Sequence, residues 1–135
     1  MGKPVESAPD TSLRLSVLEE RLAVCRLEPR AEIPPWATSA PFFCVARTPD
    51  ELSVVCPEER VPAGVTCERG WRALKLQGPF GFESTGILAS VVAPLAESEV
   101  GILAIGTYDT DYLLVKEEEL DPAIVALRER GHEVR

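Results

Sequence analysis

The apolar and polar positions of this chain change period several times, and each change marks an element. Residues 71–77 alternate, with Leu74 and Leu76 on one side, which is the period of a strand. From Ile87 the apolar positions fall at 87, 88, 91, 92 and 95, a single helical stripe. Pro94 lies late in that stripe, where it removes one backbone bond and kinks the last turn. Residues 101–107 and 112–116 are short apolar strands around a polar turn at 108–111, a hairpin. Asp121 reads as a helix N-cap, with Pro122 at the first helical position. Ala123, Ile124 and Leu127 make the stripe of that helix, and Gly131 stops it. Residues 132–135 add a last short strand. The order is β-α-β-β-α-β, the split βαβ or ferredoxin-like unit.

The first half carries a worn version of the same order. Residues 13–18 and 22–27 alternate cleanly and are expected to pair as a hairpin around Glu19–Arg21. A Pro-rich link, 28–41, leaves room for one helical turn near Trp36. Strand, acidic turn and strand follow at 42–47, 48–51 and 52–56, then a helical turn near 57–62 and a short strand ending at Cys67. An offset of 60 positions, Glu51 on Asp111 and Val55 on Val115, lays this hairpin on the later one and suggests an internal repeat. The expected organisation is a flexible tail at 1–11, a first module at 12–68 with short helices, and a second at 70–135. The fold class is α+β: two ferredoxin-like βαββαβ modules packed side by side, an antiparallel sheet with helices on one face. Such packing also covers sheet edges.

Composition narrows the partners. The chain has 135 residues and a formal net charge of −8, with 14 Lys plus Arg against 22 Asp plus Glu. Nucleic-acid and anionic-membrane partners are disfavoured, since phosphate recognition needs clustered cations. No run approaches the apolar length of a membrane span. The N-terminal residues have no apolar core of a secretory signal, so the expected location is cytoplasmic. Cys25, Cys44, Cys56 and Cys67 lie in or beside strand-like runs without metal-ligand spacing, and read as core thiols, with a reactive or bridged cysteine as the alternative. No metal or cofactor is expected.

Residues 78–97, GPFGFESTGILASVVAPLAE, hold the candidate chemistry. A nucleotide-binding P-loop needs a Lys that this stretch lacks. The free N–H groups of a helix start still suit a small carboxylate, and Gly81 and Gly86 let a backbone approach a ligand. Ser84 or Thr85 is placed to cap the helix or donate a hydroxyl. The hairpin turn adds Thr107, Tyr108, Asp109 and Asp111, whose carboxylates suit an ammonium. Arg47 stands at the corresponding turn of the first half, where it could pair with a ligand carboxylate. His132 reads as a solvent-exposed helix-end residue, and Trp36 and Trp71 as packing residues.

The stretch from Glu83 to Val115 resembles the ACT domain, a small regulatory module that binds amino acids. The likeness rests on Gly86, Ile87, Leu88 and Ala89 at the helix start, Gly101 and Ile102 at the start of the next strand, and Leu113, Leu114 and Val115 in the hairpin. Thr85 stands where many members have Pro. The turn 107–112 is similar to that of the tandem-ACT group that includes the CASTOR-type arginine sensors and short bacterial two-ACT proteins; similar ACT pairs act as feedback sites in aspartate kinases. The resemblance covers residues 71–135 strongly and the earlier part weakly. It implies an amino-acid-binding regulatory protein without catalysis, its ligand held between modules. The ligand residues would be Gly81, Phe82, Ser84, Thr85, Gly86, Ile87, Thr107, Tyr108, Asp109 and Asp111. The implied partners are a free amino acid and either a second copy or a separate effector protein. The alternative is an assembly module with a vestigial pocket; a small enzyme is the weakest reading.

Overall fold

The computed structural model describes residues 12–78 and 85–135; the expected tail at 1–11 lies outside them, as do residues 79–84. The strands are β1 (Arg14–Val17), β2 (Leu22–Leu27), β3 (Cys44–Arg47), β4 (Leu52–Pro57), β5 (Cys67–Leu76), β6 (Leu103–Gly106), β7 (Asp111–Lys116) and β8 (Glu133–Val134). The helices are α1 (Ile87–Glu97) and α2 (Leu120–Glu129). They fall into two units, residues 19–72 and residues 73–135 together with 12–18.

In the unit 19–72 the strands run in the order β3-β4-β2-β5, all antiparallel. That is the ferredoxin-like order with single 310 turns, Pro35–Thr38 and Glu58–Arg60, where helices would stand. The second turn cannot lengthen, because Pro62 forces Val61 into extended backbone at ψ 121°. Its core is Ala23, Cys25, Ala37, Leu52, Val54, Cys56 and Val61, with Trp36 packed against it. Arg60 ties the two turns together by donating to the Ser39 hydroxyl at 2.6 Å and its carbonyl at 3.2 Å.

The other unit has two full helices on one face. α1 contributes Val91 and Leu95, and α2 contributes Ala123, Ala126 and Leu127. They cover Leu74 and Leu76 of β5 and Leu113 and Val115 of β7. β6 pairs with β7, and β7 with β5. β1 does not form the expected hairpin with β2. It pairs antiparallel with β5, Leu15 opposite Leu76, and parallel with β8, Leu15 opposite Val134. The intervening Glu19–Arg21 has none of the Gly, Asn or Asp that tight hairpin turns need, so nothing there favours reversal. β1 instead buries Leu13 and Leu15 in the helix-covered core. Residues 12–18 therefore stand with the later residues rather than the earlier ones, and β8 makes the sheet mixed rather than purely antiparallel.

The internal repeat is present at an offset of 59, not 60. Arg47 lies opposite Leu52 as Gly106 lies opposite Asp111, and Cys44 opposite Val55 as Leu103 opposite Leu114. A one-residue slip exchanges the faces of a strand. At 59, the core residues Val54 and Cys56 fall on the core residues Leu113 and Val115.

Both helices end in Schellman motifs. After α2, His132 N–H donates to Leu127 O and Gly131 N–H to Arg128 O, with Gly131 at φ 91°. After α1, Val100 N–H donates to Leu95 O and Glu99 N–H to Ala96 O, with Glu99 in the left-handed region at φ 61°. α2 begins before Asp121: the 310 turn Glu117–Glu119 runs straight into Leu120, so Asp121 sits in the first turn rather than at the cap.

Candidate functional site

The β6–β7 turn is built by threonines. Thr107 N–H donates to Thr110 O at 2.8 Å, and the Thr107 hydroxyl bridges the same carbonyl at 2.9 Å and Thr110 N–H at 3.2 Å. The β3–β4 turn repeats this with Thr48 and Glu51, whose backbone bond is 2.9 Å. The earlier turn is tied to β2 by Arg26, which donates to Asp50 O at 3.1 Å, and the later one is pinned by a buried hydroxyl. Thr110 is 8% exposed and its hydroxyl donates to Leu76 O of β5 at 2.8 Å.

That bond lays the turn against β5. Leu74 and Leu76 face the helices, so Lys75 and Gln77 project to the other side. There Lys75, Gln77, Gly78, Asp109 and Thr110 line an open cleft of about 260 Å³. The cleft holds an ammonium, a carboxylate and an amide, the groups that pair with the two ends of an α-amino acid. A single amino acid suits that volume; a nucleotide belongs in the larger range of small-molecule pockets.

Of the residues singled out in the sequence, Asp109 reaches this cleft. Tyr108 stands at the tip, 79% exposed. Thr107 serves the turn. Asp111 is half-buried on β7 opposite Gly106, where its Oδ1 is 3.3 Å from the position a Cβ would take. Thr85 and Gly86 are exposed, and Ile87 packs against the core. Gly86 is the N-cap of α1 in the left-handed conformation, φ 81°, with no side-chain cap, so Thr85 does not cap the helix. Gly81, Phe82 and Ser84 lie outside the described residues. Lys75 and Gln77 were not singled out. The signal for them was the strand itself: the partners of apolar Leu74 and Leu76 on an alternating strand occupy its other face.

Arg47 does not reach a ligand position. Its guanidinium donates to Pro29 O and, at 2.8 Å, to Ala31 O, holding the Pro-rich link. In the same unit a larger cleft of about 520 Å³ is lined by Glu19, Glu20, Arg21, Glu58, Glu59 and Arg69, among others. Arg69 and Glu58 there secure the chain: Arg69 donates to Glu58 O at 2.8 Å, and Glu58 Oε1 accepts from Gly70 N–H at 2.9 Å.

His132 is buried, 5% exposed, contrary to the sequence expectation. Leu13 N–H donates to its Nδ1 at 3.1 Å, and its Nε2 lies 3.0 Å from Ser90 O. A backbone N–H can only donate, so Nδ1 is the acceptor and Nε2 carries the proton. Both nitrogens are committed to backbone. Among the described residues no group of three or more His, Cys, Asp or Glu is placed to hold a metal, and no helix is long and apolar enough to cross a membrane.

This fold is that of the ACT domain. Residues 66–129 match the ACT domain family model, and residues 20–64 match a second model described as an N-terminal domain. The chain is an ACT-domain protein. Within that class it is similar to the cytosolic arginine sensor for mTORC1 subunit 1 of Bos taurus, 34% identical over 97 residues, 64% of this chain and 30% of that protein. The matched stretch thus spans under a third of that relative's length. A crystal structure of an Agrobacterium tumefaciens protein is 38% identical, with a TM-score of 0.87 and 92% of each chain covered. The aspartate kinase of Clostridium acetobutylicum shares the fold at 11% identity and a TM-score of 0.65, over 87% of this chain and 34% of that one.

Proposed function

We propose that this chain is an amino-acid-binding regulatory protein that performs no chemistry on its ligand. The observation that carries this reading is the cleft in which Asp109 meets Lys75 and Gln77. In it the ligand ammonium pairs with Asp109 and the ligand carboxylate with Lys75, an arrangement of charge-assisted hydrogen bonds. The helix start at Gly86–Ile87 supplies further donors. The ligand regulates by favouring one of two states of the protein, read by a second copy or a separate effector in the cytosol. Membership of the ACT family supports an amino acid as ligand. The sensors to which the chain is similar are named for arginine, which makes arginine the first ligand to test.

The test is a thermal-shift and calorimetric screen of the free amino acids. A ligand at about 100 times its Kd stabilises the folded chain by roughly 2.7 kcal/mol. Asp109→Ala and Lys75→Ala should each abolish that shift while leaving the unliganded melting point near that of the parent. Absence of a shift from every amino acid at millimolar concentration overturns the proposal.

A further inference from the structure

Three of the four cysteines lie on one face of the unit 19–72. Cys25 on β2 stands directly opposite Cys67 on β5. Cys56 on β4 stands opposite Ala23, the residue two before Cys25. All three contact the same core, Cys67 from its partly buried margin. Cys44 lies on β3, paired with Val55.

The hydrogen-bond pattern gives the kind of pair that Cys25 and Cys67 form. Arg26 N–H donates to Thr66 O at 3.0 Å, a bond between the residue after Cys25 and the residue before Cys67. In an antiparallel ladder that bond flanks a non-hydrogen-bonded pair, in which Cα atoms approach to about 4.5 Å and side chains are closest. A disulfide needs Cα atoms about 4.4–6.8 Å apart. Cys25 and Cys56 are diagonal neighbours, about 7–8 Å apart in such a sheet, which is beyond bridging distance without backbone movement.

We propose that Cys25 and Cys67 form an oxidisable dithiol, a modification site that closes to a reversible cross-strand disulfide on reaction with hydrogen peroxide. Cys67 is half-exposed and Cys25 is 1% exposed, so the oxidant meets Cys67 first. The Cys67 sulfur attacks one peroxide oxygen, the O–O bond breaks, and the sulfur becomes a sulfenic acid with release of water. The Cys25 sulfur then attacks the Cys67 sulfur. The S–S bond forms, the S–O bond breaks, and the departing hydroxide takes the Cys25 proton and leaves as a second water. Two thiols are oxidised by two electrons and one peroxide is reduced to two waters. A thiol reductant reverses the step. Burial also pushes the Cys25 thiol up to about 12, which keeps it from meeting the peroxide as a thiolate.

The test uses the full chain, reduced and then treated with hydrogen peroxide near stoichiometry. Intact mass should fall by two hydrogens, and two of the four thiols should be lost to thiol titration. Proteolysis should yield a peptide joining Cys25 to Cys67, and dithiothreitol should restore all four thiols. Cys44→Ser should behave as the parent, and Cys67→Ser should form no internal disulfide. In Cys25→Ser the Cys67 sulfenic acid should persist and be trapped by dimedone. Should Cys25→Ser not fold, Cys67→Ser and the peptide map still decide the matter. An intact Cys25–Cys67 dithiol after oxidation, a bridge through Cys56, or bridges only between chains would each overturn the proposal.

Discussion

His132 completes a helix that Pro94 interrupts. In α1 the carbonyl of Ser90 would accept from the N–H of residue 94, but residue 94 is proline and has none. The buried ring of His132, three residues past the end of α2, supplies the missing donor from Nε2 at 3.0 Å. Its Nδ1 accepts from Leu13 N–H, so one side chain joins α1, β1 and the turn after α2. His132→Ala should leave a buried donor and a buried acceptor unpaired and cost about 2–4 kcal/mol. Pro94→Ala gives Ser90 its own helical partner, so His132→Ala should cost at least about 1 kcal/mol less in that background. A double-mutant cycle by urea unfolding measures this coupling, and strict additivity would reject the relationship.

Glu99 closes α1 in a conformation that suits glycine. At φ 61° its Cβ crowds the following carbonyl, whereas the equivalent position after α2 is Gly131. Glu99→Gly should therefore stabilise the protein by about 0.5–1 kcal/mol, after the larger unfolded-state entropy of glycine is set against the relieved strain. Gly131→Ala should destabilise by a similar amount. A lowered melting point for Glu99→Gly contradicts this account.

The pattern of apolar residues made α1, α2, the β6–β7 hairpin and the final strand legible, because each has a core face with its own period. Three features were not legible. The offset of the repeat is one less than the similar acids Glu51 and Asp111 suggest, because the core face of each strand, not its turn acid, sets the register. β1 alternates like any strand, and alternation does not name a partner; its pairing with β5 and β8 is set by the core that accepts Leu13 and Leu15. His132 looked polar and terminal, but its role depends on an orphan carbonyl 42 residues away, visible in sequence only as the proline that creates it. In the candidate site, Asp109 was legible as an acid in a turn, whereas Lys75 and Gln77 were hidden on the face of β5 that the apolar pattern does not describe.

The Thr110 hydroxyl fixes the turn that carries Asp109. Thr110→Val keeps the shape and removes the buried bond to Leu76 O, leaving that carbonyl short of one donor. Stability should fall by about 1–2 kcal/mol. If the cleft is the amino-acid site, affinity should fall as well, because the turn no longer holds Asp109 in the cleft. Unchanged stability in chemical denaturation would show that the bond contributes nothing.

The buried thiols make the protein sensitive to alkali. Burial, then Cys56 and Cys67 nearby, pushes the Cys25 thiol from 9.0 up to about 12, and burial raises Cys56 in the same direction. Above about pH 9 the unfolded chain releases these protons while the folded chain keeps them. The folded state then binds more protons, so stability falls as pH rises. The contribution is complete below the unfolded value near 9 and is lost progressively towards 12. Each thiol adds a slope of at most about 1.4 kcal/mol per pH unit. Urea unfolding under reducing conditions at about pH 8, 9 and 10 should show the parent losing stability faster than Cys25→Ala. Parallel pH profiles for the two proteins would refute the assignment, because the other alkaline groups are common to both.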